Sequence, residues 1–204
     1  RVNMKKFLII FGIFICIFAI GLKVCAETNK FWFNPRHIKT YIPPNNKRTA
    51  MMRRAFAEWT RATKGKFVFR YVTSPNTAQV KVFFVDEIPN ADREIGLTKF
   101  RYTKTNKITH AEVYIAEYTT TGRKLRNNEV YTVMLHEIGH AMGISKHSND
   151  PLSIMYPTEN DAQEILESDI KSLADIYGWE KRKVNYEKIY YFTGINNAFC
   201  NINV

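Results

Sequence analysis

Between Thr49 and Thr63, Met52, Ala55, Phe56 and Trp59 recur at three- and four-residue spacing, the repeat of a helix with one apolar face, and Gly65 stops it. Lys39 to Ile42 reads as a short strand closed by Pro43-Pro44. Phe67 to Val72 alternates as a half-buried strand does, whereas Val80 to Val85 is a near-continuous apolar run, the mark of a central strand covered on both faces. Ile108 to Ala116 is a further alternating strand. The segment from Asp86 to Lys107 is polar and turn-rich, long enough for a functional or ion-binding loop. A second helix is predicted from Asn127 or Asn128, either of which can cap it, through Val130, Val133, Met134 and Leu135 to Met142. Gly143 can take the left-handed turn that ends this helix. Ile144 to Asn160 reads as loop, and Ser168 as the cap of a third helix with an apolar stripe of Ile170, Leu173, Ile176 and Tyr177.

The two ends differ from this pattern. Lys5 and Lys6 precede an uncharged apolar run from Phe7 to Leu22, followed by Val24-Cys25-Ala26, which is the layout of a secretory signal cleaved after Ala26. The run is short for a full membrane span, and left uncleaved it would act as an N-terminal membrane tether. Cys25 raises a lipoprotein reading, which Val24 disfavours by standing where a small residue is expected. The expected organisation is a signal peptide over residues 1–26, one domain over 27–180 and a tail over 181–204 with no assignable partner. The expected location is secreted or extracytoplasmic, membrane-anchored if the signal stays.

Composition adds bounds. At 204 residues, 45% hydrophobic and 14% aromatic, the chain suits one globular domain and carries no low-complexity tract. Removal of the signal would take Cys16 and Cys25, leaving Cys200 without a partner for an internal disulfide. The formal charge of +11 would fall as Arg1, Lys5, Lys6 and Lys23 leave. Lys47, Arg48, Arg53, Arg54, Arg61, Lys64 and Lys66 still form a basic stretch, read as the solvated side of a helix in preference to a nucleic-acid or anionic-polymer patch.

The chemistry lies in His136-Glu137-Ile138-Gly139-His140 on the second helix. Residues four apart share a helix face, so His136 and His140 can offer two imidazoles to one ion. Glu137, offset by one residue, falls beside the metal, as a base next to a metal-bound water must. His147, in the loop after Gly143, supplies a third nitrogen, with Asp150 or water as the alternative. Three protein ligands with one open position make a catalytic zinc site, whereas a structural zinc would be closed by four ligands, usually with Cys. Met155, in Ser153-Ile154-Met155-Tyr156-Pro157, can form an apolar floor beneath the imidazoles, which is compatible with ordinary core packing.

The string HEIGHAMGISKHSNDPLSIMYP resembles the metzincin zinc peptidases with their Met-turn, in particular the matrixin branch. The likeness runs from about Trp32 to Trp179, through AFAEWT, VKVFFVDE, EIGLT, THAEVYIAE and DIKSLADIYGW. It implies an α+β fold: a twisted, mostly parallel five-stranded sheet with two helices behind it, and a small C-terminal subdomain after Gly143 holding the Met-turn and a third helix. It also implies a cleft between the two parts. Three departures stand out. Lys146 occupies the family's third-His position and His147 follows it, so the loop is expected to bulge by one residue. No pro-domain with a latency cysteine lies between Ala26 and Phe31. Of the family's second-zinc ligands only His110 is in the region, so it reads as an ordinary strand residue and no second zinc is expected. Calcium around Asp86, Glu87 and Asp92 stays open beside a reading of these as surface charges.

The expected activity is that of a secreted, monomeric zinc endopeptidase acting on protein or peptide substrates, with no nucleic-acid partner. Glu137 would be the base and His136, His140 and His147 the zinc ligands. The substrate is expected to pair with an edge strand, which the sequence leaves open with Ile108 to Ala116 as one candidate, and pocket depth to depend on Ile144 and on Tyr156 to Asn160. The alternative is a catalytically silent zinc-binding module that holds peptides or an anionic surface polymer.

Overall fold

The computed structural model describes residues 29–88, 94–158 and 164–179. The expected signal segment, the expected tail from residue 181, all three cysteines, Asp92 and Asn160 lie outside the described residues. In chain order the strands are β1 (Phe31–Trp32), β2 (Ile38–Tyr41), β3 (Phe69–Tyr71), β4 (Val80–Val85), β5 (Gly96–Tyr102) and β6 (Lys107–Ala116). The helices are α1 (Thr49–Ala62), α2 (Asn127–Ala141) and α3 (Glu167–Tyr177).

One sheet runs β1-β6-β4-β2-β3, every step parallel, and β5 joins β6 antiparallel. The expected α+β architecture is thus realised as five longer strands plus the two-residue β1. β6 pairs with β4 from Val80↔Ala111 to Val85↔Ala116 and with β5 from Gly96↔Ile115 onwards. It is therefore central and has no free edge. The outer strand on that side is β5, which corrects the choice of Ile108 to Ala116 as the substrate edge. The expected loop from Asp86 to Lys107 is interrupted by this strand. β4 is also covered on one face only: Val80 and Val82 are buried, while Lys81, Phe83 and Val85 are half-buried.

α1 and α2 pack on each other, and α2 lies over β5 and β6. Met52, Ala55, Phe56 and Trp59 of α1 are buried, the spacing the sequence displays. The Trp59 indole N–H donates to Leu135 O at 2.8 Å, so a large apolar side chain enters the core with its one polar atom satisfied. α2 is buried around most of its circumference, from Val130 to Ala141.

Both later helices begin one residue or more before their expected caps. Glu129, at the third position of α2, accepts from the Arg126 backbone N–H at 2.6 Å, while Asn127 turns its amide oxygen to the Arg48 guanidinium, also at 2.6 Å. Asp169, at the same position of α3, accepts from Leu166 N–H at 2.9 Å, so Ser168 sits inside the helix. In each case a carboxylate at the third helical position reaches back to the N–H of the cap residue itself, the acidic half of a capping box, and so fixes where the helix starts.

The basic stretch on and around α1 is largely met by its own protein. Arg48 and Lys47 bind Glu117, and Arg61 pairs with Glu58. Arg53, Arg54 and Lys66 lie over the rings of Tyr71, Tyr131 and Trp179 at 4.3 to 4.5 Å. Among the described residues no helix is long and apolar enough to cross a membrane.

Candidate active site

His136 and His140 project from α2 into a cleft of about 800 Å³ lined also by Glu137, His147, β5 and the segment Tyr156 to Thr158. One ring nitrogen of each helical histidine is spoken for. His136 Nδ1 donates to Ile154 O at 2.8 Å and His140 Nδ1 to Ile144 O at 2.6 Å. A backbone carbonyl can only accept, so Nδ1 carries the proton in both rings and each Nε2 keeps a free lone pair. Burial holds both imidazoles below the ordinary histidine range, His140 down to about 4 with the neighbouring His136 adding to the effect. Neutral rings with free Nε2 atoms are the form a metal needs.

His147 completes the group despite the inserted residue. Its Nε2 stands 3.3 Å from His140 Nε2, and ligand atoms of all three histidines lie within 4.8 Å of one another. Two nitrogens each about 2.0 to 2.1 Å from a tetrahedral ion are themselves about 3.3 Å apart. The donor set therefore fits zinc: three imidazoles, soft enough for that ion, with the fourth direction open to the cleft. Asp150 is not in the group; its carboxylate accepts from Leu152 N–H at 2.9 Å in an exposed turn. Among the described residues no cluster of carboxylates forms a second candidate ion site, and His110 is an exposed residue of β6.

A network holds the turn beneath the rings. Ser153 Oγ donates to Asp169 Oδ1 at 2.5 Å and accepts from Met155 N–H at 3.0 Å. Asp169 Oδ2 receives a longer contact from Ile154 N–H, 3.4 Å, besides that from Leu166. Asp169 and Ser153 are fully enclosed, at 2% and 0% exposure. Met155 is buried against α2, where a Cβ on Gly139 would come within 2.4 Å of its sulfur. It thus packs under the helix turn that joins His136 to His140. At the other end of that turn, Gly143 has φ +115° and closes the helix, and a Cβ there would meet Lys30 O at 2.5 Å. Trp32 Nε1 and Tyr177 OH donate to the last carbonyls of the helix, Ala141 O at 2.8 Å and Met142 O at 2.7 Å.

Glu137 is 5% exposed, and that burial pushes its carboxyl up to about 7, against the opposing hydrogen bond from Thr98. Thr98 Oγ1 lies 2.6 Å from Glu137 Oε2 and 3.0 Å from Glu137 O, so its single hydrogen can serve either. The other carboxylate oxygen lies over Gly96, where a Cβ would approach to 2.6 Å. Both contacts come from β5. Ala116 N–H donates to Ile95 O at 3.0 Å, and with the register Gly96↔Ile115 this assigns Ile95, Leu97 and Lys99 to bonding with β6. Gly96, Thr98 and Phe100 therefore turn their N–H and C=O groups toward the opposite edge, which no other described strand pairs.

Sequence patterning does not single out Gly96, Thr98 or Asp169. The alternation from Leu97 to Tyr102 is a strand signal, obscured by Lys99 and Arg101 on the outer face, and Asp169 stands three residues after Leu166 as a back-reaching cap does. Ile144 is not part of the cleft wall; it is buried and its carbonyl holds His140.

Comparison with known proteins agrees with the motif. The family model described as matrixin matches residues 33–178. The chain belongs to the matrixin family. This matrixin is similar to macrophage metalloelastase of Oryctolagus cuniculus, with 26% identity over 156 residues covering 69% of this chain and 32% of the relative. It is also similar to metalloendoproteinase 1 of Glycine max, at 28% identity over 137 residues, 61% of this chain and 44% of the relative. The chain thus spans less than half the length of these curated relatives. Among solved structures, myroilysin matches with a TM-score of 0.44 at 14% identity, covering 72% of this chain and 95% of that one.

Proposed function

We propose that this matrixin is an exported zinc endopeptidase that hydrolyses internal peptide bonds, with His136, His140 and His147 as zinc ligands and Glu137 as general base. The observation that carries this reading is the convergence of three imidazole nitrogens beside a buried carboxylate, at the wall of a cleft whose rim is a strand edge that no other described strand pairs. Zinc, when bound there, supplies a Lewis acid that polarises the scissile carbonyl and acidifies water. The protein's own groups do the rest. An extended substrate adds to the free edge of β5 through the backbone of Gly96, Thr98 and Phe100. A carboxylate oxygen of Glu137 takes a proton from the attacking water and passes it to the departing amine. Val133, Tyr156, Pro157 and Thr158 line the wall that meets the substrate side chain beside the metal.

Export is supported by the Lys-Lys and apolar pattern that precedes Ala26. N-terminal sequencing of the exported product tests it: a product beginning after Ala26 is expected, and one that retains Phe7 to Leu22 would make the enzyme membrane-tethered.

A silent zinc-binding module would have no use for a carboxylate buried next to the metal. Glu137→Gln is expected to keep zinc and lower cleavage of a protein substrate by roughly 10²- to 10⁴-fold, with chelator abolishing what remains in the wild type. Full activity in Glu137→Gln refutes the base assignment, and absence of activity in the zinc-loaded wild type refutes the peptidase reading.

A further inference from the structure

Glu137 is held from outside its own helix. Both carboxylate oxygens face β5: Oε2 is hydrogen-bonded by the Thr98 hydroxyl at 2.6 Å, and Oε1 rests where Gly96 leaves space for it. These two residues also turn their backbone N–H and C=O groups toward the free edge of the strand. A peptide that adds to that edge would thus be registered against the same two residues that set the position of the base.

We propose that Thr98 is a positioning residue that ties the general base to the substrate-binding strand, so that the carboxylate and the bound peptide backbone are placed by one element. This rests on the peptidase reading above. The hydroxyl is engaged by Glu137, at both its carboxylate and its carbonyl, so its contribution belongs to the reacting geometry and not to substrate affinity. The bond from Thr98 fixes the orientation of the carboxylate, which Gly96 alone only leaves room for. Without it the cleft still holds zinc and peptide, but the base is no longer confined at the distance the proton transfer needs, an error that costs catalysis steeply.

The test uses the full chain loaded with zinc and a quenched fluorescent peptide chosen because the wild type cleaves it. Thr98→Val replaces the hydroxyl by a methyl group of the same shape, and Thr98→Ser keeps the hydroxyl. For Thr98→Val, kcat is expected to fall by about tenfold or more, with KM within about twofold and with zinc content and melting temperature at the wild-type value. Thr98→Ser should recover most of the loss. In the Glu137→Gln background, where binding is read without turnover, adding Thr98→Val should leave peptide affinity unchanged. The inference is overturned if Thr98→Val keeps wild-type kcat, if Thr98→Ser is as impaired as Thr98→Val, or if the valine variant loses zinc or peptide affinity in proportion to activity. A zinc-loaded wild type that cleaves no peptide refutes the peptidase reading itself and takes this inference with it, whereas an active wild type with an unaffected Thr98→Val variant refutes this inference alone.

Discussion

Asp169→Ala would remove the acceptor on which the turn under the metal site depends. In the wild type this enclosed carboxylate receives Ser153 Oγ at 2.5 Å, Leu166 N–H at 2.9 Å and, more weakly, Ile154 N–H at 3.4 Å. Alanine would take away the acceptor that these three donors share, the Ser153 and Ile154 donors enclosed and the Leu166 N–H half-buried. Hydrogen bonds to a charged group contribute about 1.5 to 3 kcal/mol each, and the loss of the helix cap at Leu166 is part of that sum. Allowing for partial relaxation and entry of water, the net cost comes to about 3 to 5 kcal/mol. For a domain of this size a loss of 1 kcal/mol lowers the melting temperature by about 2 to 4 °C, so the variant is expected to melt about 6 to 20 °C below the wild type. The same carboxylate bears on the three-histidine group through Ile154. It fixes Ser153 and Ile154, and Ile154 O holds the Nδ1 proton of His136. Loss of such outer partners usually lowers metal affinity by about 10- to 100-fold. Thermal unfolding with and without zinc, together with competitive zinc titration, measures both effects. Asp169→Asn provides the milder comparison: it keeps the shape and one acceptor but turns an N–H₂ group toward a donor. Melting of both variants within about 2 °C of the wild type, with unchanged zinc affinity, would refute the account of the network.

Two further expectations concern individual residues. His147→Ala should weaken zinc binding while Lys146→Ala leaves it intact, measured as zinc retained after dialysis; the reverse order would mean that the inserted residue is not absorbed as a bulge. Acid should remove a contribution from Glu129, whose carboxyl is held down at about 2. Burial pushes it up, but the Arg126 N–H and the guanidinium groups of Arg126 and Arg123 outweigh that. A depressed carboxyl stabilises the fold above its unfolded pKa and loses that effect as pH falls from about 4.5 toward 2. Because both arginine partners are half or more exposed, the effect is set at roughly 1 kcal/mol after screening. The stability gap between zinc-free wild type and zinc-free Glu129→Gln should therefore close over that range, and a gap that is constant with pH would contradict it.

Along the chain, local spacing carries only so much. The helix at His136 to His140 is legible because two imidazoles four residues apart must share a face, and the apolar stripe of α1 because burial repeats with the helix turn. The family follows from the same string. Other features depend on tertiary structure, each for a physical reason. The sequence leaves His147 and Asp150 both open as third ligand, because a loop with one extra residue has no fixed period; only the folded loop brings the His147 nitrogen to 3.3 Å from that of His140. β5 reads as loop because an edge strand bears charge on its outer face, and its place beside β6 is a non-local pairing. That displaced strand moved the expected substrate edge from β6, which is paired on both sides, to β5. The support of Glu137 by Gly96 and Thr98, and of the Met-turn by Asp169, joins residues 41, 39 and 16 positions apart or nearly so. Contacts of that separation exist only once the sheet, the central helix and the C-terminal turn have closed on one another, so no pattern along the chain could state them.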